Sequence, residues 1–126
     1  MKILVVDDST VQRKAIMRVI QQAGFSNPIL EASNGQEAIQ LLAANYQDVC
    51  LILCDWGMPV MSGIDFIGGV CKIPELKKIP VVMVTAVGTE SSIKEIRQMH
   101  PSIVAYVVKP FTQEQLGAAI APYVRS

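Results

Sequence analysis

VCLILCD, residues 49–55, is an unbroken apolar run closed by an aspartate. Continuous rather than alternating hydrophobicity marks a strand covered on both faces, as in a parallel sheet with helices on either side. PVVMVT at residues 80–85 repeats the pattern, so the chain has two candidate central strands. Asp55 then raises a question of its own. It stands at the mouth of a buried strand, followed by Trp56 and the loop GMPVMSG, and such a carboxylate gains meaning only if other charged groups converge on it.

Working outward, residues 3–6 are a short β-branched run, and residues 11–23 place Val11, Ala15, Ile16, Val19, Ile20 and Ala23 on one helical side before Gly24. Residues 29–32 make a second strand, and residues 36–44 a second helix with Ala38, Ile39, Leu41 and Leu42 inward. Residues 64–71 are helical despite Gly68 and Gly69, and Pro74 with ELKKIP breaks that helix and returns the chain to the sheet. Residues 89–99 form a helix with a stripe of Ile93, Ile96 and Met99, and residues 103–108 a fifth strand. Thr112 followed by Gln115 is a capping box that opens a last helix running to Ala121. Strands and helices alternate without a linker or repeat, which predicts one α/β domain over residues 1–126: a doubly wound, five-stranded parallel sheet flanked by five helices.

Composition sets the outer bounds. A chain of 126 residues with 51% hydrophobic and 17% charged residues can build a sizeable core. At 13.7 kDa its folded surface should be about 6,600 Å². Eleven basic residues balance eleven acidic ones, so neither a nucleic-acid surface nor an anionic membrane is indicated. The three cysteines, Cys50, Cys54 and Cys71, lack the histidine or second close pair of a zinc site, and a disulfide would leave one thiol over. They read as free thiols. The apolar run at residues 3–6 is too short for a signal segment, and no stretch has a membrane helix's length, so the expected location is cytoplasmic.

Sites in open parallel sheets lie beyond the carboxyl ends of the strands. There the sequence places Asp7 and Asp8 after the first strand, Asp55 after the third, Thr85 at the fourth and Lys109 after the fifth. Taken singly, Asp8 can serve as a helix cap, while Thr85 reads as a sheet threonine and Lys109 as a surface lysine. Taken together they are chemically coherent: the acids can hold a hard divalent cation, and the hydroxyl and ammonium can meet the oxygens of a transferred phosphoryl group. Three acids in one place repel unless a cation or the lysine compensates.

This constellation, with DWGMPVMSG at residues 55–63 and YVVKPF at residues 106–111, resembles the bacterial response-regulator receiver domain, and within that family the single-domain chemotaxis form. The resemblance covers essentially the whole chain. It implies a flavodoxin-like sheet of order 2-1-3-4-5 and Asp55 as the phosphoacceptor. It also implies Mg²⁺, with Mn²⁺ as a substitute, held by Asp8, Asp55 and the Gly57 carbonyl, and by Asp7 through a water. Thr85 and Lys109 would contact the phosphoryl group. Thr85 and Tyr106 would switch the face made by the fourth helix, fifth strand and fifth helix, and Lys109-Pro110 would be cis. The implied partners are a histidine kinase or phosphotransfer protein and, downstream, a flagellar switch protein or other effector. The chain would be a monomer, with a phosphorylation-dependent dimer as the alternative, and would assist its own phosphorylation and dephosphorylation while acting mainly as a signalling protein.

Gly57 offers no side chain to the metal shell and Trp56 can overlie the approach, so both bear on phosphoryl lifetime. Pro101 replaces the glycine-containing turn common before the fifth strand, and His100 reads as a surface residue. A phosphoaspartyl hydrolase would carry its nucleophile on the first strand, a second acid two residues later, and a cap; here the second neighbour of Asp55 is Gly57 and the chain has no room for a cap. Two other readings stand beside the free-standing receiver: the amino-terminal receiver of a longer regulator, and a receiver-like module that binds protein without switching.

Overall fold

The computed structural model describes residues 1–55, 66, 68–70, 72–85, 103–108 and 111–124, the side chains of Lys77 and Thr85 excepted. The elements are β1 (Lys2–Val6), α1 (Thr10–Gln22), β2 (Ile29–Ala32), α2 (Gly35–Asn45), a 3-10 turn (Tyr46–Asp48), β3 (Val49–Cys54), α3 (Pro74–Lys77), β4 (Val81–Thr85), β5 (Ile103–Val108) and α4 (Gln113–Ile120). The strands form one parallel sheet in the order β2-β1-β3-β4-β5. This is the flavodoxin-like order, with its switch point between β1 and β3.

The continuous apolar runs are explained by burial from both sides. Leu51 and Leu53 of β3 pack with Ile16 and Ile20 of α1 and Leu116 and Ile120 of α4. Ile52 and Cys54 face the opposite layer, built from Ala38 and Leu42 of α2 with Phe66, Val70 and Leu76. Each fully buried Leu, Ile or Phe stabilises by roughly 1.5–3 kcal/mol, so β3 is a rigid mount for whatever stands at its end. The exposed surface is 6596 Å², in line with the size scaling.

Helix ends follow local chemistry. Ser9 caps α1, its hydroxyl accepting from the Gln12 N–H, and Asn34 caps α2 by accepting from the Glu37 N–H. The Thr112 and Gln115 capping box is complete in both directions. Gly24 has φ +94°, a left-handed conformation that side chains strain to adopt, and lets the chain turn out of α1.

Two expectations are corrected and one alternative is closed. Val11 is 79% exposed and Ala15 is also exposed, so the buried stripe of α1 is narrower than the periodicity suggested and rests on Ile16 and Ile20. Asp8 does not cap α1, because Ser9 fills that role. Pro74 opens the short helix α3 at its first position, where its missing N–H costs nothing, instead of only interrupting the chain. Phe66 and residues 68–70 are helical, as expected. The helix expected over 89–99, the loop over 56–63, Cys71, His100, Pro101 and Lys109-Pro110 lie outside the described residues.

Candidate functional site

Register builds the site. In the sheet Val6 of β1 pairs with Cys54 of β3, so Asp7 and Asp55 leave adjacent strands side by side. The Asp55 N–H donates to the Val6 carbonyl at 2.9 Å, and the Asp7 N–H to the Ala32 carbonyl at 3.0 Å, carrying the ladder past the strand ends. Asp8 follows in the turn ahead of the Ser9 cap. The carboxylates of Asp7, Asp8 and Asp55 thereby meet, with one oxygen of each within 4.8 Å of the others. Asp7 is 1% exposed, Asp55 half-buried and Asp8 exposed, so the cluster grades from core to solvent.

The donor set suits a hard divalent cation: all-oxygen and anionic, with Asp8 at its exposed end. Burial, followed by the charges of Asp55 and Asp7, pushes the Cys54 thiol far up and keeps it protonated, so its sulfur does not compete as a ligand. That thiol instead donates to the Asp55 carbonyl at 3.2 Å. Among the described residues Cys50 and Cys54 are free cysteines, in keeping with the sequence reading.

Tyr106 sits two strands from Cys54, through the pairs Cys54 with Met83 and Met83 with Tyr106, a span of about 10 Å. It is half-buried and packs against the same layer as Cys54 and Met83. Burial, then the Asp55 charge, raises its phenol above the ordinary tyrosine value, so the ring lies within the field of the acidic site. Thr85 pairs with Val108, placing its backbone level with the residue before Lys109. The Thr85 side chain, Gly57 and Lys109 lie outside the described residues.

The structure adds residues that the sequence did not point to. One carboxylate oxygen of Asp7 accepts from the Ser9 N–H at 2.9 Å, and the Asp7 carbonyl accepts from the Arg13 guanidinium at 2.6 Å. Arg13 also donates to Glu31 of β2 at 3.1 Å and to the Thr10 hydroxyl at 3.1 Å, while Lys14 pairs with the second Glu31 oxygen at 3.2 Å. The spacing of Thr10 and Arg13 was a usable signal for their contact; the Glu31 partner depends on tertiary packing.

Burial raises the Glu31 carboxyl, but the hydrogen bonds and charges of Arg13 and Lys14 outweigh it and hold the group below its ordinary value. With the folded value below the unfolded one, the stabilisation is full above about 4.5 and drains as pH falls through the folded value. Glu31→Gln should therefore lower stability by about 0.5–1 kcal/mol at neutral pH, with the difference closing in acid. Urea midpoints of both proteins across that range check this; a gap that widened in acid would contradict the assigned sign.

A doubly wound α/β domain with an acidic cluster at its switch-point edge is the class that fold and site define. The chain belongs to the response regulator receiver domain family, whose sequence profile matches residues 3–121. It is 40% identical over 120 residues to the chemotaxis protein CheY of Pseudomonas aeruginosa, an alignment covering 95% of this chain and 93% of that protein. It is 37% identical over 116 residues to the chemotaxis protein CheY1 of Helicobacter pylori, covering 92% and 90%. The structure of the chemotaxis protein CheY4 of Vibrio cholerae superposes with a TM-score of 0.84 at 28% identity over 97% of each chain.

Proposed function

We propose that this receiver accepts a phosphoryl group on Asp55 from the phosphohistidine of a histidine kinase or phosphotransfer protein, and that it serves a chemotaxis-type pathway in the cytoplasm. The observation that carries the reading is the meeting of Asp7, Asp8 and Asp55 at one sheet edge in a chain of this family. An Asp55 carboxylate oxygen attacks phosphorus in line, the phosphorus–nitrogen bond breaks, and the donor imidazole keeps the electron pair. Hydrolysis removes the group: water attacks phosphorus, the bond between phosphorus and the carboxylate oxygen breaks, the carboxylate keeps the electron pair, and inorganic phosphate and a proton are released.

Asp8, Asp55 and the Gly57 carbonyl would hold Mg²⁺ or Mn²⁺ directly, and Asp7 through a water. The bound cation would offset charge on the phosphoryl oxygens. Lys109 pairs with those oxygens and Thr85 donates a hydrogen bond to them. Among the described residues no helix is long and apolar enough to cross a membrane, and balanced charge fits protein rather than nucleic-acid partners. Incubation with a phosphorylated donor and Mg²⁺ should yield one hydroxylamine-labile phosphoryl group per chain by intact mass; a chain that stays unmodified with donors active on other receivers would defeat the reading.

Output runs through Thr85 and Tyr106. The Thr85 hydroxyl moves to the phosphoryl oxygens, Tyr106 turns into the vacated space, and the face containing residues 89–99, β5 and α4 changes for a flagellar switch protein or another effector. The ring's place in the field of Asp55 supports this coupling. Thr85→Ala should remain phosphorylatable yet cut an effector's preference for the phosphorylated chain from at least about tenfold to about twofold. Paired titrations with and without a stable phosphate mimic measure it, and an undiminished preference in Thr85→Ala would remove Thr85 from the switch.

A further inference from the structure

We infer that Arg13 is a positioning residue for the acidic pocket, fixing the Asp7–Asp8 turn through its backbone and not by touching the phosphoryl group or the cation. The inference rests on the metal-dependent receiver reading above. Three acceptors share one guanidinium: the Asp7 carbonyl at 2.6 Å, Glu31 at 3.1 Å and Thr10 at 3.1 Å. The side chain is only 12% exposed. Its fork therefore ties the peptide joining Asp7 to Asp8 to both the first turn of α1 and the edge strand β2. The Ser9 N–H holds the Asp7 carboxylate from the other direction at 2.9 Å. Between them these contacts set the plane of the Asp7–Asp8 peptide, and hence the direction in which the exposed Asp8 leaves the chain. A planar, five-donor guanidinium can serve three acceptors at once; a lysine ammonium at the same site cannot reproduce that fork.

The sign of the metal response separates positioning from charge. A guanidinium hydrogen-bonded to the Asp7 carbonyl brings a positive charge to the edge of the acidic cluster and repels an incoming cation, so on charge alone its removal would tighten Mg²⁺ binding. Positioning predicts the reverse, because ligands that are no longer oriented must be ordered by the cation itself.

Calorimetric Mg²⁺ titration of the full chain at fixed ionic strength decides between them. Arg13→Met should weaken binding by about tenfold, and Arg13→Lys, which keeps the charge but loses the fork, by at least as much. Glu31→Gln should weaken binding by about threefold in the wild-type background and have no effect once Arg13 is replaced, since Glu31 acts through it. Metal-free thermal melts verify that each variant is folded, and Arg13→Lys carries the test if Arg13→Met is not. Equal or tighter Mg²⁺ binding by Arg13→Met, or wild-type binding by Arg13→Lys, would overturn the assignment. Asp8→Ala is run alongside: if it leaves Mg²⁺ affinity unchanged, the metal-site reading fails, whereas a weakened Asp8→Ala beside an unaffected Arg13 series fails only the positioning role.

Discussion

Asp55→Ala should take up no phosphoryl group, its labelling falling below about 1% of wild type under conditions that fully modify the parent chain. The three carboxylates are not equivalent nucleophiles. Asp7 is buried and has one oxygen engaged by the Ser9 N–H, and Asp8 lies out in the turn. Asp55 is half-buried at the end of a strand whose every neighbour is packed, so its position is set before a donor arrives. The substitution keeps the Asp55 backbone N–H on the Val6 carbonyl, which carries the sheet past the strand end. Asp55→Asn is the matched control: it keeps the size, the shape and one acceptor oxygen and lacks the nucleophilic anion. Intact-mass measurement after incubation with a small-molecule acyl or phosphoramidate donor reads the result. Substantial labelling of both variants would place the acceptor on another residue.

Different physical origins explain why some of this was legible in the sequence and some was not. β3 and β4 were plain because burial on both faces leaves an unbroken apolar run, and the last helix was plain because its capping box is a local contact between Thr112 and Gln115. Periodicity overreached on α1. Val11 and Ala15 fit a helical stripe but face solvent, since the buried apolar side chains of the helix are Ile16 and Ile20. Asp8 and Ser9 are both good caps in isolation, and the choice between them depends on where the helix begins, which a sequence fixes only to within a residue or two. The acidic cluster was readable as a set of strand ends, but the neighbouring of Asp7 and Asp55 follows from β1 lying beside β3. That adjacency came from family resemblance and is invisible to hydropathy. The Arg13 and Glu31 contact had no such guide: a helix residue and an edge-strand residue meet only after the sheet has formed.

Asp8→Ala should move metal-free stability and metal affinity in opposite directions. Without a cation, Asp8 adds a third negative charge within 4.8 Å of two others, and that repulsion is a cost of keeping the site ready. Its removal should raise metal-free stability by about 0.5–1 kcal/mol, roughly 2–4 °C in melting temperature for a domain of this size. The same change removes a direct oxygen ligand and should weaken Mg²⁺ binding about a hundredfold. At ten times the wild-type Kd the parent chain gains about 1.4 kcal/mol from Mg²⁺, whereas the variant gains about 0.1 kcal/mol or less. Thermal melts with and without Mg²⁺ at equal ionic strength should therefore cross: the variant melts higher in chelator and the parent gains far more from the metal. Structural damage would lower both melts, and an exposed acid with no part in the site would change neither. A variant that kept the parent's full Mg²⁺ gain would remove Asp8 from direct coordination and overturn the metal site built on it.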